Sequence, residues 1–119
     1  MERTIDWDAG AIVIIDQCAL PREYRELRLT TVDDLVDAIR RLAIRGAPAL
    51  GAAGALGVAL SARRHLGDEA IVREEAARLA AARPTAANLS WGVRRALTRL
   101  SEGPQAVLTE ALAILDEDE

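Results

Sequence analysis

Two arginines in this sequence stand where a cation is least at home. Arg45, in "IRGAP", comes just before a helix that Pro48 is expected to open. Arg83, in "ARPTAANL", comes just before one expected to start near Ala86. The N-terminal end of a helix carries partial positive charge, so a guanidinium there is misplaced by about 0.3–1 kcal/mol. A bound oxyanion reverses the sign, because unpaired backbone N–H groups, the helix dipole and the planar guanidinium fork then converge on it. The spacing therefore fits two halves of one phosphate cradle. The competing reading pairs each arginine with one of the 19 acidic residues.

The remaining reactive side chains narrow the chemistry. All 15 basic residues are Arg, since the sequence contains no Lys. That excludes a Walker A phosphate loop and a Schiff-base lysine. One cysteine, Cys18, can form no internal disulfide, and no Cys/His spacing suits zinc, so no metal site is expected. The single histidine, His65, falls in a helix's last turn beside Arg63 and Arg64, where it complements the dipole rather than acting as a base. Asp33, Asp34 and Asp37 read as a solvated helix start, and Asn88 and Trp91 as capping and packing residues with site contact as the lesser alternative. A net charge of −4 argues against nucleic acid as a partner. "MERTIDWDAG" has no apolar core to serve as a signal peptide, and a cytoplasmic protein is expected.

The elements that must position these residues are legible in outline. One domain is expected over 1–119, mainly α with an N-terminal β-hairpin. The hairpin is placed at 4–16, with "DAG" as its turn and a short third strand near Arg25–Leu29. Helices are expected at about 31–44, 48–65, 69–82, 86–100 and 104–115. Thr31, Asp68 and Thr85 would cap the first, third and fourth, and Gly46 would stop the first. The second, "APALGAAGALGVALSA", is apolar on nearly every side but too short for a membrane span, so it should be the buried central helix. Its glycines at 51, 54 and 57 lower helix propensity, and close approach of a neighbouring backbone is the expected return. The terminal "DEDE" reads as a solvated charge run.

Three blocks, "IDWDAGAIVIIDQCALP", "AIRRLAIRGAPALGAAGALGVAL" and "AARPTAANLSWGVRRAL", in this order and spacing resemble the N-terminal domain of the methylthioribose-1-phosphate isomerase family. That family shares a superfamily with ribose-1,5-bisphosphate isomerase and the regulatory subunits of translation initiation factor 2B. The resemblance implies an aldose–ketose isomerisation in methionine salvage, from 5-methylthioribose 1-phosphate to 5-methylthioribulose 1-phosphate, without cofactor. It also implies that Arg45, the backbone of Gly46 and Ala47, and Arg83 bind the substrate phosphate. Family members continue into a Rossmann-like C-terminal domain that carries the catalytic Cys and Asp and is absent from these 119 residues. No catalytic residue is therefore expected in this chain, which alone would be inactive. Cys18 stands at the wrong place to be the nucleophile, and Asp16 and Gln17 match a family-typical "DQ" of turn or packing type. The implied partners are the sugar phosphate, the missing domain or a partner chain, and a second copy in a homo-oligomer of the full-length form. A non-catalytic interaction module, like the initiation-factor subunits, and a ribose-1,5-bisphosphate isomerase are the alternatives.

Overall fold

The computed structural model describes residues 5–15, 26–41, 44 and 47–117. Three short strands form an antiparallel sheet in the order β1 (Ile5–Asp8), β2 (Ala11–Ile15), β3 (Glu26–Leu29). A two-residue turn joins the first pair, with Ala9 (φ 49°) and Gly10 (φ 83°) both left-handed, as hairpin twist requires. The register sets Ile5 opposite Ile14 and Ile12 opposite Leu29, and all four are buried. The sheet is thus larger than a hairpin, because Val13 and Ile14 pair on their other side with Arg28 and Leu27.

Five α-helices follow among the described residues: α1 (Val32–Arg40), α2 (Ala47–Arg64), α3 (Glu69–Ala80), α4 (Ala87–Leu97) and α5 (Pro104–Glu117). Thr31 Oγ1 accepts from the Asp34 amide at 3.1 Å and Asp68 Oδ1 from the Ile71 amide at 3.1 Å, so α1 and α3 begin on side-chain caps. Helix α1 closes earlier than its apolar spacing predicts. The Arg41 amide turns back to the Asp37 carbonyl at 3.0 Å, and Gly46, the expected stop, lies outside the described residues.

Helix α4 differs at both ends. Its N-cap is Ala86, which has no side-chain acceptor, and Thr85 makes no capping bond. At the far end the Thr98 hydroxyl donates to the Arg95 carbonyl at 2.6 Å, and a 3₁₀ turn at Leu100–Glu102 replaces the expected last helical turn.

Helix α2 lies at the centre, and every residue from Ala49 to Ala62 is buried. Sheet, α1, α3, α4 and α5 all pack on it. Gly54 faces the Leu89 carbonyl of α4, where an added Cβ would lie at 2.6 Å, while Gly57 receives the ends of Leu79 and Leu35. Glycine therefore buys close approach twice over, to a backbone at one position and to two side chains at the other. Ser61 is the one buried polar residue among those described, and its hydroxyl donates to Glu75 Oε1 of α3 at 2.6 Å.

Around the rim, Arg28 bridges to Asp8 at 2.8 Å, Arg78 of α3 pairs with Asp33 of α1, and the Arg63 guanidinium lies 5.9 Å over the Trp7 ring. No described helix is long and apolar enough to cross a membrane. Leu56 is fully buried in α2. Leu56→Ala is expected to lower unfolding free energy by about 2–5 kcal/mol in a urea titration, with little change in slope.

Candidate functional site at the starts of two helices

The first turns of α2 and α4 meet. Pro48 and Gly51 of α2, Asn88 and Trp91 of α4, and Ile114 and Glu117 of α5 line one cleft of about 180 Å³. Helix α4 has no side-chain cap, and among the described residues the leading amides of Ala87 and Asn88 have no backbone partner. Pro48 has no N–H to satisfy in the first turn of α2. Residues from the starts of two helices therefore line the same space.

Of the four residues expected to hold phosphate, Ala47 opens α2 and Arg83 lies three residues before the α4 cap. Arg45 and Gly46 lie outside the described residues, as do Asp16, Gln17 and Cys18. The Arg83 side chain is half-buried, does not line the cleft, and forms no ion pair or hydrogen bond with a described residue. Its carbonyl accepts from the Ala86 amide at 2.9 Å and shapes the entry to α4.

Trp91 is not a core residue. It is 43% exposed, on the cleft wall, with the Arg95 guanidinium 5.4 Å over its ring. Arg95 in turn ties α4 to α5, donating to Glu110 Oε2 at 2.6 Å and to both Glu117 oxygens at 3.0 and 2.7 Å. Arg99 adds a bond to Glu110 Oε1 at 3.1 Å and two to Glu102 at 3.2 Å. Glu117 belongs to the "DEDE" run, so one of those carboxylates is held by an ion pair rather than free in solvent. The Arg95 hydrogen bond holds the Glu110 carboxyl below the ordinary glutamate value against the opposing effect of burial, with Arg99 helping, and it does the same to Glu117. Hydrogen bonds to Glu117 and then Glu110 push Arg95 further up, and Glu102 and then Glu110 do so for Arg99.

His65 stands just past α2, its Nε2 3.3 Å from Glu75 Oε1, a partner that its place in the sequence did not reveal. A larger cleft of about 380 Å³ opens at the far end of α2 between Arg63, Leu66, Pro104, Gln105 and Leu108, and carries no cluster of reactive groups. Among the described residues no group of three or more His, Cys, Asp or Glu could hold a metal ion.

No protein-family profile matches the chain. A probable bifunctional methylthioribose-1-phosphate isomerase/methylthioribulose-1-phosphate dehydratase from Nocardia farcinica is 54% identical over 121 residues, covering 98% of this chain and 22% of that protein. The fold matches 5-methylthioribose 1-phosphate isomerase from Pyrococcus horikoshii OT3 with a TM-score of 0.89 at 29% identity, over 98% of this chain and 36% of that one. It matches subunit delta of translation initiation factor eIF-2B from A. fulgidus with a TM-score of 0.82 at 41% identity, again over 98% and 36%. Along nearly its whole length the chain is thus similar to part of proteins named as an eIF-2B subunit and as 5-methylthioribose 1-phosphate isomerase. Its sequence relatives include proteins named methylthioribose-1-phosphate isomerase, and it spans about a third or less of the length of these relatives.

The Glu110 carboxyl titrates lower when folded than when unfolded. Its contribution to stability is therefore present above the ordinary glutamate range and is lost as pH falls through the folded value. Unfolding titrations in that acid range should show wild-type stability falling as pH drops, with a shallower fall for Glu110→Gln. Equal slopes in the two proteins would dismiss Glu110 as a contributor.

Proposed function

We propose that this chain is the phosphate-anchoring part of an aldose–ketose isomerase that converts 5-methylthioribose 1-phosphate to 5-methylthioribulose 1-phosphate in methionine salvage. The observation that carries the reading is the meeting of the α2 and α4 starts at one cleft. A phosphate dianion there faces two helix dipoles and the unpaired leading amides of α4. This reading assigns the guanidinium forks to Arg45, preceding α2, and to Arg83, which precedes α4 and would have to turn in from beside the cleft, with the backbone at Gly46 and Ala47 as further donors.

The division of labour follows from what the described side chains can do. They offer anchoring but no acid–base pair beside the cleft, where Glu117 is already committed to Arg95. The groups that move a proton between adjacent sugar carbons would belong to the remaining length of such an enzyme, and this chain alone would turn nothing over. Homo-oligomer formation belongs with the full-length protein in the same reading. The likeness to an eIF-2B subunit supports a second reading, a non-catalytic module that uses this fold as an interaction surface. Ribose 1,5-bisphosphate is an alternative substrate for the same cradle.

Calorimetric titration with inorganic phosphate and with a pentose 1-phosphate separates these readings. Wild type should bind both, and Arg83→Ala should weaken binding about tenfold or more, the loss expected for a charged hydrogen-bonded contact. Equal affinity in the two proteins removes Arg83 from the site. Absence of binding in either favours the interaction module.

A further inference from the structure

We infer that Gly92 is a positioning residue, which sets the distance between the two helix starts through its contact with Gly51. The inference rests on the phosphate-anchoring reading above and adds what holds the two arms in register. A Cβ on Gly92 would collide with the Gly51 carbonyl oxygen and lie 2.8 Å from its carbonyl carbon. Ordinary carbon–oxygen contacts are about 3.3–3.6 Å, so any side chain at 92 must open the crossing by about 1 Å. The opposing atoms are backbone, not the ends of side chains that could swing aside.

The crossing is close at neighbouring positions too, and it lies near both starts. A Cβ on Gly51 would meet the Asn88 carbonyl at 3.4 Å and the Trp91 ring at 3.5 Å, and one on Gly54 would meet the Leu89 carbonyl at 2.6 Å. Gly51 and Gly92 lie within about two turns of Ala47 and Ala87, where their helices begin. Pro48 and Asn88, on opposite walls of the cleft, are carried by the same two backbones. Arg95, one turn on from Gly92, binds Glu117 of α5, so moving α4 away from α5 would break that pair. A shift of about 1 Å in a bound geometry can weaken function as much as a hundredfold.

Three alanine variants graded by the clearance at each site test this: Gly51→Ala, Gly54→Ala and Gly92→Ala. Alanine favours helix more than glycine, so each keeps the local propensity to fold. Leu79→Ala, which removes a fully buried α3 side chain packed at Gly57, controls for lost stability alone. Solution NMR of the 119-residue chain should show NOEs between the α-protons of Gly51 and Gly92 in wild type. Titration with inorganic phosphate should show affinity falling in the order of decreasing clearance, tenfold or more for Gly92→Ala and unchanged for Leu79→Ala. Should Gly92→Ala fail to fold, Gly54→Ala against Leu79→Ala carries the same comparison. Wild-type affinity in Gly92→Ala, or an equal loss in Leu79→Ala, overturns the positioning role and leaves the anion site standing. A wild type that shows the NOEs but binds no phosphate overturns the anion site and the positioning role with it.

Discussion

Burying α2 on every side is the constraint from which the arrangement follows. An amphipathic helix needs one neighbour, whereas a helix apolar all round must be wrapped. Here the sheet, α1, α3, α4 and α5 supply the wrapping, and residues 49–62 are removed from water. The wrapping has to be tight because alanine and glycine present little area. Close backbone approach recovers the contact that larger side chains would otherwise give. The site inherits its geometry from that requirement: α4 comes to the start of α2 because Gly51 and Gly54 admit its backbone, and the two helix openings arrive at one cleft.

What could be read from the sequence was what local chemistry decides. Thr31 and Asp68 cap their helices through bonds to amides three residues on, and the apolar spacing of Leu35, Ile39, Leu89 and Val93 marks faces that are buried. Thr85 misled because it has a capping side chain at nearly the right place, yet the chain enters α4 one residue later, at an alanine. The third strand showed only as four residues of mixed polarity and gains its identity from pairing with β2. Trp91 looked like core, but it lies on nearly the opposite side of α4 from the Leu89–Val93–Ala96 stripe, half-exposed beneath a guanidinium.

The sequence offered two arginines before two helices, of which Arg45 lies outside the described residues and Arg83 off the cleft lining, and it did not show that those helices meet. That meeting depends on residues about 40 apart in sequence packing backbone to backbone, which no periodicity records. The Arg95–Glu110–Glu117 network was equally hidden, since its members are 15 and 22 residues apart. The fold serves proteins described both as isomerases and as an initiation-factor subunit, so architecture alone does not assign chemistry.

The Ser61 hydroxyl has one more effect. The glycines of α2 already favour one azimuth of the helix about its axis, and a polar group adds to that preference. A single oxygen that must reach Glu75 at 2.6 Å leaves one rotational setting in which no dipole is stranded in the interior. One atom on α2 thus acts as a key in a keyway, and it works together with the glycines that set Gly51 against α4 at the opposite end of the rod.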